Sequence, residues 1–147
     1  MSGGTVAVDS VELRIAFEFV SSAAPSENNA YISLDTGKIY WTSDVADIHD
    51  EDQPEDLETS DRYIAVPHKN DLDLGRRLVM DFVEEAMPDA TNTVVGFFRR
   101  KGAYGRFKDL LQTRGMLQRW YDFEDRATED ALRAWCEDSD IQPVGGR

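Results

Sequence analysis

Between residues 44 and 61 the chain places nine acids, Asp44, Asp47, Asp50, Glu51, Asp52, Glu55, Asp56, Glu58 and Asp61, and no Lys or Arg interrupts them. Unpaired carboxylates are too costly to bury, and like charges this dense repel one another, so the run reads as a solvated loop. The fold must be built from what lies on either side. At residues 43–60 the stretch is also too long for an ordinary hairpin connection, which makes it either functional or mobile. The sign reverses further on. Arg99, Arg100, Lys101, Arg106, Lys108, Arg114 and Arg119 stand against a single acid, Asp109. The net charge of −13, from 29 acids and 16 Lys and Arg, therefore hides a charge separation along the chain. The overall acidity weighs against a general nucleic-acid binder.

With 147 residues, 41% of them hydrophobic, the chain can bury a core. One domain over residues 1–147 is expected, ordered from about 8 to 141. The apolar runs are too short to cross a membrane, and the start lacks the basic-then-apolar pattern of a secretory leader. The lone Cys136 excludes an intramolecular disulfide and any multi-cysteine zinc site. Together these point to the cytoplasm.

The hydropathy pattern divides the chain. Residues 1–8 are weakly patterned and read as a frayed start. Over 11–19 the apolar residues alternate as in a strand, yet Leu13, Ala16, Phe17 and Val20 also form an i, i+3, i+4, i+7 helical stripe. Asp9 followed by Glu12 resembles a capping box and tips the reading toward a helix at about 10–22. Residues 30–34 and 38–42 flank Asp35-Thr36-Gly37 as a β-hairpin, with Ile32 and Leu34 on one face and Ile39 and Trp41 on one face of the partner strand. Residues 62–66 form a third strand, stopped by Pro67.

Helical patterns follow: about 70–87, capped by Asn70 or Asp71; one opened by Asp89, with residues 99–101 in its last turn; one from Tyr104 to Gly115; a short one at 117–123; and one at 127–137. The tail from residue 138 reads as loose. The fold class expected is α+β: a small three-stranded antiparallel sheet, an N-terminal helix and a C-terminal cluster of four to five helices.

Several segments together resemble a family. Tyr31-Ile-Ser-Leu-Asp-Thr-Gly37, Arg62-Tyr-Ile-Ala-Val-Pro67, Met80-Asp-Phe82, Lys101-Gly-Ala-Tyr-Gly-Arg-Phe-Lys-Asp109 and Arg119-Trp-Tyr121 occur in this order. The set is similar to the bacterial uncharacterised protein family 158 over about residues 8–141. Ile32 and Ser33 replace a Leu-Asp pair usual there, and Arg100 replaces a glycine. The resemblance implies the fold and a cytoplasmic location; it carries no activity, catalytic residue or cofactor.

Candidate sites come from the residues themselves. Cys136 with His49 or His68 would be needed for a thiol nucleophile, but a cysteine in a terminal helix reads as a small buried hydrophobe. His68, at a strand-to-helix junction, reads as a cap or solvated residue, and an enzyme centred on it has the least support. The acidic run lacks the glycine of a calcium loop, so no metal or other cofactor is expected. Its residues Asp44, Asp47, Asp50, Glu51, Asp52, Glu55, Asp56 and Glu58 are a candidate interaction loop. Arg99, Arg100, Lys101, Tyr104, Arg106, Lys108 and Arg114 are candidate anion or nucleic-acid contacts, beside a small-residue turn, Gly102-Ala-Tyr-Gly105. The P-loop spacing is absent. The function expected is a non-enzymatic accessory or regulatory module that binds another protein by complementary charge, with nucleic-acid or phosphate binding through 99–119 as the alternative.

Overall fold

The computed structural model describes residues 5–25, 27–43 and 54–145. The fold is α+β, as the patterning requires, and the chain divides into two compact units. One comprises Met1–Leu72 with Leu132–Arg147, the other Asp73–Ala131.

In the first unit, strand β1 (Val6–Asp9) runs directly into helix α1 (Ser10–Ser21). Asp9 caps the helix: its carboxylate accepts from the Val11 and Glu12 amides at 2.9 and 3.0 Å, a cap of the kind that contributes about 1 kcal/mol. The helical stripe Leu13, Ala16, Phe17 and Val20 is buried. Val11 and Ile15, which a strand would have put with the core, stay 52% and 53% exposed. The cap and the i, i+3, i+4 burial together decide the ambiguity for the helix.

Strands β2 (Asn28–Ser33) and β3 (Ile39–Ser43) form the expected hairpin, and β4 (Tyr63–Ala65) joins the free edge of β2, all antiparallel in the order β3-β2-β4. Pro67, which cannot donate to a ladder, lies just beyond β4. Registers pair Ile32 with both Ile39 and Ile64, and Tyr31 with both Tyr40 and Ala65. Directly opposed residues share a face, so an isoleucine face and a tyrosine face result. Trp41, on the isoleucine face, meets Phe19 of α1 edge-on at 5.1 Å, which identifies that face as the inner one. Leu34 departs from expectation: it lies in the turn beyond β2 and is exposed. Asn28, buried, ties the sheet to the end of α1 by donating to the Phe19 carbonyl at 3.1 Å while accepting from the Ser43 hydroxyl.

The chain ends are not as the sequence suggests. β1 pairs in parallel with β5 (Ile141–Val144), Val6 opposite Ile141 and Val8 opposite Pro143. Val8 and Ile141 are buried. Each segment is only four residues long, and its partner lies some 135 positions away, so neither carries a local signal.

In the second unit a short 3-10 turn, Pro88–Ala90, separates α2 (Arg76–Ala86) from α3 (Thr91–Phe97), and α4 (Ala103–Thr113) follows. The helix expected from residue 70 starts at Arg76. Lys69–Leu72, in the first unit, is instead a 3-10 turn in which the Asp71 carboxylate accepts from the His68 amide. The two helices expected at 117–123 and 127–137 are one, α5 (Leu117–Asp138). Leu117, Trp120, Phe123, Ala127, Ala131 and Trp135 continue one stripe across the polar interval. Thr128, buried there, bonds back to the Glu124 carbonyl at 2.8 Å. The boundary between the units falls within α5, whose residues to Ala131 belong to the second unit and the rest to the first. The second unit's core mixes aliphatic residues with an aromatic cluster: Phe82 lies 5.3 Å from Trp120 and 5.2 Å from Phe123, and Phe107 lies 5.1 Å from Trp120.

Candidate functional site

The basic candidates all lie in the second unit, but the fold does not gather them all. Arg99 and Arg100 follow the end of α3 rather than occupying its last turn, because α3 stops at Phe97. Arg106 projects from the first turns of α4, and its Nη1 donates to the Lys101 carbonyl at 2.7 Å, closing the α3–α4 connection on itself. Gly102, at φ +78°, supplies the left-handed residue that lets the chain turn into α4. The result is one open cleft lined by Gly96, Phe97, Arg99, Arg100 and Arg106. Among the described residues no carboxylate pairs with these three arginines.

The remaining basic candidates are spent elsewhere or stand apart. Arg114 makes a two-pronged pair with Asp89, at 3.1 and 2.8 Å, and Asp89 makes no helix-cap bond. Lys108 places its ammonium 5.7 Å from the Tyr121 ring centre, a cation–π contact. Lys101 is exposed but does not line the cleft. Tyr104 is 37% exposed and perpendicular to Phe98 at 5.3 Å; burial, then Glu124, pushes its hydroxyl above the usual tyrosine value. The guanidinium of Arg76, which sequence reasoning did not single out, covers the Phe98 ring at 5.5 Å. No local signal links residues 76 and 98; only the fold of α2 against the end of α3 does.

The Asp89–Arg114 pair carries a pH prediction. The Arg114 guanidinium, first by hydrogen bonding and also by charge, holds the Asp89 carboxyl below its usual value. A carboxyl depressed in the folded state contributes stability that is present above the unfolded carboxylate range and lost as pH falls through the folded value. The difference in denaturation midpoint between wild type and Asp89→Asn should therefore be measurable at neutral pH and vanish on acidification. The pair is open to solvent, so the difference is small, and a difference that grows in acid would contradict the assignment.

Of the acidic candidates, Asp44, Asp47, Asp50, Glu51 and Asp52 lie outside the described residues. Glu55, Asp56 and Glu58 are exposed around a turn whose Thr59 and Ser60 amides both donate to the Asp56 carbonyl. Leu57 within it is buried, and the Tyr31 hydroxyl reaches Glu58 at 3.4 Å.

His68 is a cap, as the sequence suggests, but not a solvated one: its side chain accepts from the amide two residues on, in the turn Lys69–Leu72. It is buried, its Nε2 bonds the Ala23 carbonyl at 2.9 Å, and its Nδ1 accepts from the Asn70 amide at 3.0 Å. That pattern requires the neutral imidazole with its proton on Nε2, and both nitrogens serve the backbone. Cys136 is buried, and desolvation raises its thiol above the usual value, away from a nucleophilic thiolate. Among the described residues no three His, Cys, Asp or Glu side chains come together as a metal site. No helix among them is long and apolar enough to cross a membrane.

The division into units also sorts the charge. The first contains 6 Lys and Arg against 18 Asp and Glu; the second contains 10 against 11. Nearly all of the −13 thus belongs to one unit, while the arginine cleft belongs to the nearly neutral other.

An α+β fold of two units, with acid concentrated in one and an arginine cleft on the other, is the class of protein these observations define. Residues 10–146 match the Uncharacterised protein family UPF0158, and the chain belongs to that family. No curated protein and no solved structure matches it.

Proposed function

We propose that this protein is a non-enzymatic accessory or regulatory module that binds another protein by complementary charge, the α3–α4 cleft receiving acidic side chains. The observation that carries the reading is the convergence of Arg99, Arg100 and Arg106 on one open cleft, with no carboxylate among the described residues paired to them. Guanidinium groups are suited to this, since each offers a planar fork that fits a carboxylate. The engagement of His68 with the backbone and the burial of Cys136 support a binding role over a catalytic one.

Labelled octaglutamate should bind the full chain at low salt, weaken as salt rises, and lose about tenfold in affinity in the Arg99→Ala/Arg100→Ala/Arg106→Ala variant. Fluorescence anisotropy measures this; binding that is absent, or equal in the variant, would remove the reading.

The second reading is nucleic-acid or phosphate binding through the basic 99–119 segment, in which the exposed part of Tyr104 offers a stacking surface. It expects oligouridine to bind, with a steep salt dependence and a loss on Arg106→Ala. The acidity of the chain favours the protein partner.

A further inference from the structure

The outer face of the three-stranded sheet is the other surface with a distinct chemistry. The inner face, with Ile32, Ile39 and Trp41, packs on α1. On the opposite face the register aligns Tyr31 with Tyr40, and Ser33 with Tyr63. Tyr40 and Tyr63 come from the two strands that flank β2, yet their rings meet at 6.1 Å and 85°, a perpendicular corner above buried Ser33. Tyr40 and Tyr63 are both half-buried, whereas Tyr31 on the same face is buried. Lys38, two residues before Tyr40 and so on the same face, holds its ammonium 4.8 Å from the Tyr40 ring centre. The chain therefore already places a cation on this face.

The corner belongs to the acid-rich first unit, with both signs close by: Arg62 pairs with Asp35 at 3.8 Å. Glu58 meets the Tyr31 hydroxyl. Burial first, then Asp56, Tyr40 and Asp35, raise the Tyr63 hydroxyl above its usual value, outweighing Arg62. Perpendicular tyrosines on an acid-rich unit suit a cation: the ring quadrupoles attract its charge, and the unit's 18 acids against 6 Lys and Arg add to the attraction. The same acids would repel a nucleic-acid backbone.

We propose that the Tyr40–Tyr63 corner on the outer sheet face is a docking surface for a lysine- or arginine-rich segment of a partner protein, with Lys38 occupying the place of one partner cation in the free chain. This rests on the reading of the chain as a charge-based binding module and adds a second surface, with a charge preference opposite to that of the arginine cleft. Tyrosine is well suited to the role, giving contact area at low conformational cost.

The test is titration of the full chain with labelled octalysine at physiological salt, with octaglutamate in parallel. Octalysine should bind; Tyr40→Ala/Tyr63→Ala should weaken it about tenfold, and Tyr40→Phe/Tyr63→Phe should leave it unchanged. Lys38→Ala should tighten binding more than Lys69→Ala, which removes the same charge from outside the tyrosine face. That comparison stands even if the double alanine variant does not fold. Octalysine that fails to bind, binds the folded double alanine variant equally well, or gains no more from Lys38→Ala than from Lys69→Ala would overturn the proposal. Oligouridine binding lost in the double variant would overturn it too, in favour of nucleic acid. Failure of octaglutamate alone counts against the arginine cleft and leaves this surface standing.

Discussion

Replacing Phe82 with alanine should cost about 3–5 kcal/mol. Phe82 is fully buried on α2, and its ring makes edge contacts with Phe107 of α4 and with Trp120 and Phe123 of α5. Truncation removes the partner shared by three other aromatic rings, and the helices can close the space only by shifting toward one another, at the expense of their other contacts. Denaturant unfolding should show a much lower midpoint, and near-UV circular dichroism should lose the signal of packed tryptophan. Phe82→Leu, which keeps most of the volume, should cost only about 1–2 kcal/mol. A loss under about 1 kcal/mol for Phe82→Ala would mean that these rings are not a packed core.

Gly37→Ala should cost roughly 2–4 kcal/mol through two separate effects. Gly37 holds φ at +81°, where a Cβ is strained, and a Cβ there would lie 2.1 Å from the Ala7 carbonyl oxygen. That oxygen belongs to β1, so relieving the clash means displacing the hairpin turn or the β1–β5 pair. Gly115 separates the two effects. It has φ +69°, and a Cβ added there would meet nothing within 4 Å, so Gly115→Ala carries only the conformational penalty, about 1–2 kcal/mol. Equal losses at the two glycines, measured by thermal unfolding, would disprove the close approach of Ala7.

Much of the fold was legible because its signals are local. The Asp9 cap and the Leu13-to-Val20 stripe lie within twelve residues, and the hairpin is announced by β-rich runs around Gly37. The helix boundaries were less legible. The 3-10 turn at Lys69–Leu72 uses the same Asn and Asp residues that cap an α-helix, and polar residues near 125 interrupt α5 only in sequence. The candidate site was legible in part. Of the basic residues singled out, only Arg99, Arg100 and Arg106 share a cleft, because Arg114 and Lys108 have partners on other elements.

By itself, the sequence determined the α+β class, the hairpin, the separation of charge and the region of the arginine cleft, since each depends on neighbours along the chain. Only the tertiary structure decided which side of the sheet would be tyrosine and which would pack on α1. That outcome depends on the register of three strands, and a shift of one residue would exchange the faces. The parallel pairing of β1 with β5 is likewise tertiary, because two four-residue strands at opposite ends of the chain acquire their hydrogen bonds only when the rest has brought them together. The acidic run that most restricts the fold is thus read directly from the residues, while the tyrosine corner proposed to work beside its described end had to be assembled from two strands that flank a third.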